Sequence, residues 1–202
     1  MSVNNSSDTN ILWNSFLDGD DKAFGAVYYA FINALLSYGK KLTSDRELLN
    51  DAVQDIFMDL YQKRSKKHIP IINLKAYLFI ALKNTILKKI LQNRIYDDKV
   101  VDDHLLDEFN IEYSFQDQLI SREILEEKHQ RLQNAIITLS SKQKEIIYLK
   151  FEEELEYKEI AGLMKITIES ARKQLYRALL SLRQILDNET FLILFSVLRK
   201  KV

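Results

Sequence analysis

Residues 156–186, EYKEIAGLMKITIESARKQLYRALLSLRQIL, constrain this chain more than any other stretch. Tyr157, Ile160, Ala161 and Met164 recur at helical spacing and predict a short helix with one buried face. Thr167 suits the N-cap of a second helix, because its hydroxyl can accept from a free backbone N–H in the first turn. Ile168, Ala171, Leu175, Ala178, Leu179 and Leu182 then form an inward stripe. The outward face carries Ser170, Arg172, Lys173, Tyr176 and Arg177, with no acid after Glu169. A helix-turn-helix places such a second helix in the DNA major groove. The same pattern also describes an amphipathic helix pair with a solvated basic face.

Four Gly and one Pro in 202 residues favour long helices over turn-rich β architecture. Without Cys there is no disulfide scaffold and no thiolate metal site, which fits a reducing cytoplasm. The first residues, MSVNNSSDTN, lack a positive region followed by an apolar run, so nothing marks them for secretion. No apolar stretch approaches bilayer length. A soluble, cytoplasmic protein is expected.

Formal net charge is zero, yet the charges are segregated. From Tyr61 to Ile95 there are nine Lys or Arg and no acid; from Asp97 to Asp117 there are eight acids and one Lys. Residues 171–186 return to four basic residues and no acid. Two basic blocks separated by an acidic one suggest two nucleic-acid-facing modules and an anionic connector.

Helical periodicity runs through the first block. A short helix is expected from Ile11 to Leu17, ending near Gly19. Asp21 to Lys41 carries Phe24, Val27, Tyr28, Phe31, Leu35 and Tyr38 at three- and four-residue steps. Ser44 with Glu47 reads as a capping box opening the next helix, which would bury Leu48, Ala52, Ile56, Phe57 and Leu60. Pro70 forbids helix through Lys66 to Ile72, and Asn73 can cap a fourth helix. There Leu74, Tyr77, Leu78, Ala81, Leu82 and Thr85 share a face. Periodicity is lost over residues 96–120, read as an extended acidic linker or a polar surface helix. It resumes by Ile120 with Leu125, Leu132, Ile136 and Leu139, and Ser140 with Gln143 makes a second capping box. The expected fold is all-α, with two helical domains. They span residues 10–95 and 121–186, joined by the acidic linker 96–120 and followed by an apolar-basic tail, 187–202.

The helix-turn-helix alone would fit many regulators. Paired with DAVQDIFMDLYQKR (Asp51 to Arg64) and LKAYLFIALKN (Leu74 to Asn84), the chain resembles the extracytoplasmic-function (ECF) RNA polymerase sigma factors of the sigma-70 family. The three motifs stand in the family's order and at its spacing, over nearly everything from Asn10 to Leu186. The resemblance implies a region 2 domain that binds core RNA polymerase and opens the promoter at its minus-ten element. It implies a region 4 domain that reads the minus-thirty-five element. Promoter DNA and core polymerase are the implied partners, an anti-sigma factor a further one.

Residue by residue, the resemblance places Asp51, Gln54 and Asp55 on a polymerase-binding helix face, where i, i+3 and i+4 spacing sets two carboxylates and an amide side by side. Without the family match, the same face reads as ordinary solvated surface. For the minus-ten element it marks Lys66, Lys67, Tyr77, Lys83, Asn84 and Lys88, with Lys63 and Lys89 adding charge. Strand opening needs cations for phosphates and a pocket for an unstacked base, near which Asn84 falls. Tyr77 reads more readily as a core aromatic. For the minus-thirty-five element it marks Lys150, Ser170, Arg172, Lys173, Tyr176 and Arg177, of which Arg suits bidentate contact with guanine. Three positions depart from the family pattern: Ile80 and Gln174 where relatives are often basic, and Lys165 where the turn often has Gly. Asp97, Asp98, Asp102, Asp103, Asp107 and Glu108 would let the linker occupy a basic nucleic-acid channel.

No catalysis is expected, nor a cofactor or small-molecule substrate. His68, His104 and His129 have no metal-ligand spacing, and there is no Gly-rich phosphate loop. The competing class is a helix-turn-helix regulator whose N-terminal helices sense or dimerise, and a helical adaptor without a DNA role is a third. In the tail, Phe191 to Leu198 hold seven apolar residues in eight positions, before Arg199, Lys200 and Lys201. They can fold back on the C-terminal domain or dock on a regulator or membrane surface.

Overall fold

A computed structural model describes residues 6–66, 71–96 and 122–192, and every regular element among them is helical. The chain divides into two compact units, Met1–Leu105 and Leu106–Val202. No helix among the described residues is long and apolar enough to cross a membrane.

The first unit packs four helices: α1 Ser6–Leu17, α2 Asp21–Leu42, α3 Arg46–Gln62 and α4 Leu74–Tyr96. α1 starts five residues before the expected Ile11, which is itself 62% exposed; Trp13 and Phe16 supply its buried side. The Asp20 carboxylate caps α2 by accepting from the Lys22 N–H at 2.9 Å. Val27, Phe31, Leu35 and Tyr38 are buried as expected, whereas Tyr28 sits at the rim. The expected Ser44 cap is corrected: Asp45 caps α3, its carboxylate accepting from the Leu48 N–H at 3.0 Å. A full negative charge at that position also favours the helix N-terminus. Gly39 faces α3 at a close approach, where a Cβ would lie 2.1 Å from Leu49 Cδ1.

α4 contacts α1, α2 and α3. Its buried sector is therefore wider than one stripe and takes in Ala76, Phe79, Lys83 and Ile86 beside Leu74, Leu78 and Leu82. Tyr77, Ala81 and Thr85, expected on the buried face, are only half-buried. Tyr38 of α2 stacks on Phe79 with ring centroids 5.1 Å apart. A 3-10 turn, Lys63–Lys66, follows α3 and shares only Lys66 with the segment expected to be loop, Lys66 to Ile72.

Lys63 ties that turn to both neighbouring helices. Its ammonium donates to the Asp59 carboxylate of α3 and to the Tyr77 hydroxyl of α4. Tyr77 in turn donates to Asp59 at 3.3 Å. Burial alone would lower the Lys63 pKa, but the bonds to Asp59 and Tyr77 outweigh it and raise the pKa above the usual lysine value.

The second unit contains α5 Arg122–Ile137, α6 Ser141–Ile147, a π-helical turn Tyr148–Glu152, α7 Tyr157–Met164 and α8 Ile168–Ile185. The Ser140 capping box is present in both arms: Ser140 Oγ accepts from the Gln143 N–H at 3.3 Å, and Gln143 Oε1 from the Ser140 N–H at 3.0 Å. The π turn closes on a buried carboxylate, with the Tyr148 hydroxyl donating to Glu153 at 2.6 Å. Ile160, Ala161, Leu163, Ala171, Leu175, Ala178 and Leu182 join the two helices of the motif in one core. Ile168, expected inward, is 40% exposed at the first position of α8.

Between α7 and α8 the chain makes a Schellman turn. The Ile166 N–H donates to Ala161 O at 3.0 Å and the Lys165 N–H to Gly162 O at 3.4 Å. Lys165 takes the left-handed conformation this requires, at φ 54° and ψ 44°. Thr167 then caps α8, accepting from the Ser170 N–H at 3.1 Å. After α8, Asp187 accepts from the Thr190 N–H at 2.8 Å and hydroxyl at 3.0 Å, which holds its carboxyl below the usual range. Nearly the whole linker and tail residues 193–202 lie outside the described residues.

Two outcomes are expected of this fold. Lys165→Gly should raise unfolding free energy by about 0.5–1 kcal/mol, the left-handed penalty less the greater unfolded-state entropy of Gly. Chemical denaturation checks it, and a lower midpoint would contradict it. A group whose pKa is raised on folding contributes stability below its unfolded value and loses it as pH climbs through the folded one. Lys63 should therefore contribute to an alkaline loss of stability that Lys63→Met lacks, seen by comparing midpoints near about pH 8 and about pH 11. Parallel losses in both proteins would exclude Lys63 as a source.

Candidate polymerase and nucleic-acid interfaces

The inward residues of α3 set the direction of its outer face. With Leu49, Ala52, Val53, Ile56, Phe57 and Leu60 buried, Asp51, Gln54 and Asp55 are exposed together. Met58, which the sequence reading did not single out, continues the same face and is 61% exposed. Its i+3 and i+4 relation to Asp55 and Gln54 was available in the spacing. The three polar residues are not equivalent. Asp55 receives Lys89 of α4 at 2.8 Å, across a groove of about 260 Å³ also lined by Asp59, Ala81, Thr85, Lys88 and Gln92.

The segment proposed for strand opening is anchored on both sides. Before it, Lys63 is held by Asp59 and Tyr77. Arg64 pairs with Asp21 of α2 and lies 5.1 Å from the centroid of the Phe16 ring. After it, the Asn10 side-chain amide of α1 donates to Ile72 O at 3.0 Å. Lys66 closes the 3-10 turn; its side chain, and residues 67–70 with Lys67 among them, lie outside the described residues. Along α4, Tyr77, Ala81, Asn84 and Lys88 fall on one stripe at steps of three and four residues. Asn84 and Lys88 on that stripe are exposed. Lys83 stands one position off it and is only 9% exposed, on the side of α4 that carries Phe79, Leu82 and Ile86. The structure does not group Lys83 with the exposed Asn84 and Lys88.

On α8, Ser170, Arg172, Lys173, Tyr176 and Arg177 are all exposed, Tyr176 by 68%. Burial of Ala171, Leu175, Ala178 and Leu182 turns this row outward. Ser170 also takes part in the cap, its hydroxyl oxygen accepting from the Thr167 hydroxyl at 2.8 Å. Lys150 approaches from the π turn. Its ammonium donates to Leu155 O at 3.1 Å and lies 5.1 Å from the centroid of the Tyr157 ring. The Arg172 guanidinium is 5.5 Å from the same centroid. Tyr157, read from sequence as core, is half-buried and brings two candidate DNA residues together. Helical spacing could not show this, because the contact crosses from α7 to α8. Among the described residues no group of acids and histidines could hold a metal ion.

Two family models match this chain. Sigma-70 region 2 matches residues 27–95 and sigma-70 region 4 matches residues 129–182. No curated protein matches significantly. Among solved structures, the sigma factor RpoE in complex with the anti-sigma factor NepR, from Bartonella quintana, is 22% identical with a TM-score of 0.55. That match covers 81% of this chain and 96% of the other. CnrH in complex with the cytosolic domain of CnrY is 17% identical with a TM-score of 0.51, covering 86% of this chain and 94% of that one. At these identities the structures speak for the fold, and the two region models carry the assignment. With regions 2 and 4 in order on two helical units, this chain belongs to the sigma-70 family.

Proposed function

We propose that this sigma factor binds core RNA polymerase through the α3 face, opens promoter DNA with the segment before α4 and the stripe along it, and reads the upstream element with α8. The observation that supports the reading best is the exposed α8 row of Arg172, Lys173, Tyr176 and Arg177. It sits in the same chain as an outward face of Asp51, Gln54 and Asp55. A sensing or dimerising domain has no need of that face. Arg172 and Arg177 can meet guanine edges, and Lys173 and Tyr176 can hold phosphates. On α4, the exposed Asn84 has a donor and an acceptor for an unstacked base, with Lys88 one turn away for the backbone. Domain roles follow the boundaries read from sequence: residues 10–95 for core binding and opening, 96–120 as the acidic linker, 121–186 for upstream recognition. An anti-sigma factor is a further proposed partner, since RpoE and CnrH were both solved in complexes, RpoE with its anti-sigma factor. Nothing in the proposed role requires catalysis.

Pull-down with core polymerase followed by promoter-dependent transcription tests the whole reading; failure to retain core would end it. Gln54→Ala with Asp55→Arg should abolish core binding while helicity stays normal. The reversal juxtaposes like charges with a basic partner surface. It also breaks the pair with Lys89, which costs only about 0–1 kcal/mol for a partly exposed pair. Unchanged affinity for core would remove this face from the interface.

The two DNA modules separate in a second experiment. Arg172→Ala should relax preference at the upstream element by about 1–3 kcal/mol if its contact is bidentate. Asn84→Ala should leave recruitment to duplex intact and reduce opening, read by permanganate reactivity of unpaired thymines. Normal opening by Asn84→Ala would exclude the base-pocket role.

A further inference from the structure

We propose that Tyr157 is a positioning residue for upstream-element recognition, its ring holding the Arg172 guanidinium and the Lys150 ammonium in place beside the outward face of α8. This rests on the reading of α8 as the DNA-facing helix. Tyr157 opens α7, so its ring stands at the junction of three elements that carry the motif. Lys150 reaches it from the π turn, and Arg172 from the second turn of α8. Both cations lie within the range at which an aromatic face attracts them, 5.1 Å and 5.5 Å from the ring centroid. Lys150 is fixed a second time by its bond to Leu155 O at 3.1 Å.

The physical consequence is preorganisation. An exposed arginine samples many rotamers, and binding that must first order it loses affinity and selectivity. A planar guanidinium held at an aromatic face presents its donor fork from a restricted set of directions, as bidentate contact with a base requires. The ring also lets two like charges approach one locus, because each interacts with the ring's quadrupole. A backbone phosphate arriving there would meet cations already gathered. Leucine could fill the same half-buried space but has no quadrupole, whereas phenylalanine has one. Tyr157→Phe and Tyr157→Leu therefore separate the cation-holding role from packing.

The test uses holoenzyme assembled from the full chain and core polymerase. The DNA is a promoter duplex selected by the wild-type holoenzyme from a pool randomised at the upstream element. Tyr157→Phe should bind within about twofold of wild type. Tyr157→Leu should weaken binding about three- to tenfold and relax preference at the same base positions as Arg172→Ala. The combined Tyr157→Leu, Arg172→Ala protein should lose less than the product of the two single losses. Tyr157→Met serves in the same comparison if the leucine variant unfolds. A residue that only packs would weaken binding to all sequences alike and multiply with Arg172→Ala. Either that pattern or unchanged preference in the leucine variant would overturn the proposal. If Arg172→Ala itself leaves preference unchanged, the reading of α8 fails and the role of Tyr157 falls with it. If Arg172→Ala acts and Tyr157→Leu does not, the reading of α8 stands and only the positioning role is lost.

Discussion

The arrangement of the first unit depends on α2, the helix that packs against α1, α3 and α4. Near its C-terminal end two adjacent residues govern two neighbours. Gly39 has no side chain, and α3 comes so close that a Cβ there would sit 2.1 Å from Leu49 Cδ1. Tyr38, fully buried, stacks on Phe79 of α4. These contacts fix the rotation of α3 and α4 about their own axes. Rotation is what matters for a surface, because fixing the inward stripe of a helix fixes the outward one. With Leu49, Ala52, Val53 and Ile56 turned in, Asp51, Gln54 and Asp55 have no direction but out. With Phe79, Leu82 and Ile86 turned in, Asn84 and Lys88 face solvent. The same logic governs α8, where Ala171, Leu175, Ala178 and Leu182 aim the arginines.

Local signals in the sequence were read well where one helix and its own caps decide the outcome. The Ser140–Gln143 box, the Thr167 cap, the Asn73 cap (its side-chain oxygen accepts from the Ala76 N–H at 3.1 Å), the inward residues of α3 and the outward row of α8 are all properties of a few neighbouring residues. Local signals do not decide where two acceptable answers compete. Ser44 and Asp45 can each cap a helix, and the choice turned on one residue of register, with Thr43 Oγ1 accepting from the Asp45 N–H at 3.2 Å. Nor do they decide where several elements surround one. The spacing of α4 describes a single stripe, but three helices pack on it, and Lys83 falls in the wider buried sector. Tyr157 marks the remaining limit. Its spacing reads as core, and only the crossing of α7 and α8 reveals the two cations at its ring.

Charge segregation changes meaning once the chain is folded. The block from Tyr61 to Ile95 has no acid in sequence, which suggests a surface given over to DNA. Folding brings acids to it from elsewhere: Asp59 to Lys63, Asp21 to Arg64, and Asp55 to Lys89. Lys83 is buried as well. These cations serve first as tethers. Lys63 and Arg64, with Asn10 beyond, hold the two ends of the segment between α3 and α4. Surface pairs of this kind contribute little to stability, about 0–1 kcal/mol each, so their value lies in placement.

The consequence for DNA binding is a smaller electrostatic footprint than the composition implies. Each phosphate a protein neutralises steepens the dependence of log affinity on log salt by about 0.7–0.9. A lysine already sharing a carboxylate contributes less, because the acid's charge offsets its own. The Asp55–Lys89 pair has a further property, since one partner stands on the proposed polymerase face and the other on the helix proposed to open DNA. Any basic group of core polymerase that draws on Asp55 weakens its hold on Lys89. Any phosphate that draws on Lys89 frees Asp55. If the two proposed faces act as proposed, competition for the shared ion would couple them with the same sign in either direction, as linkage requires. A pair 2.8 Å apart, with Asp55 exposed and Lys89 half-buried, is suited to such exchange, because breaking a partly exposed pair costs only about 0–1 kcal/mol.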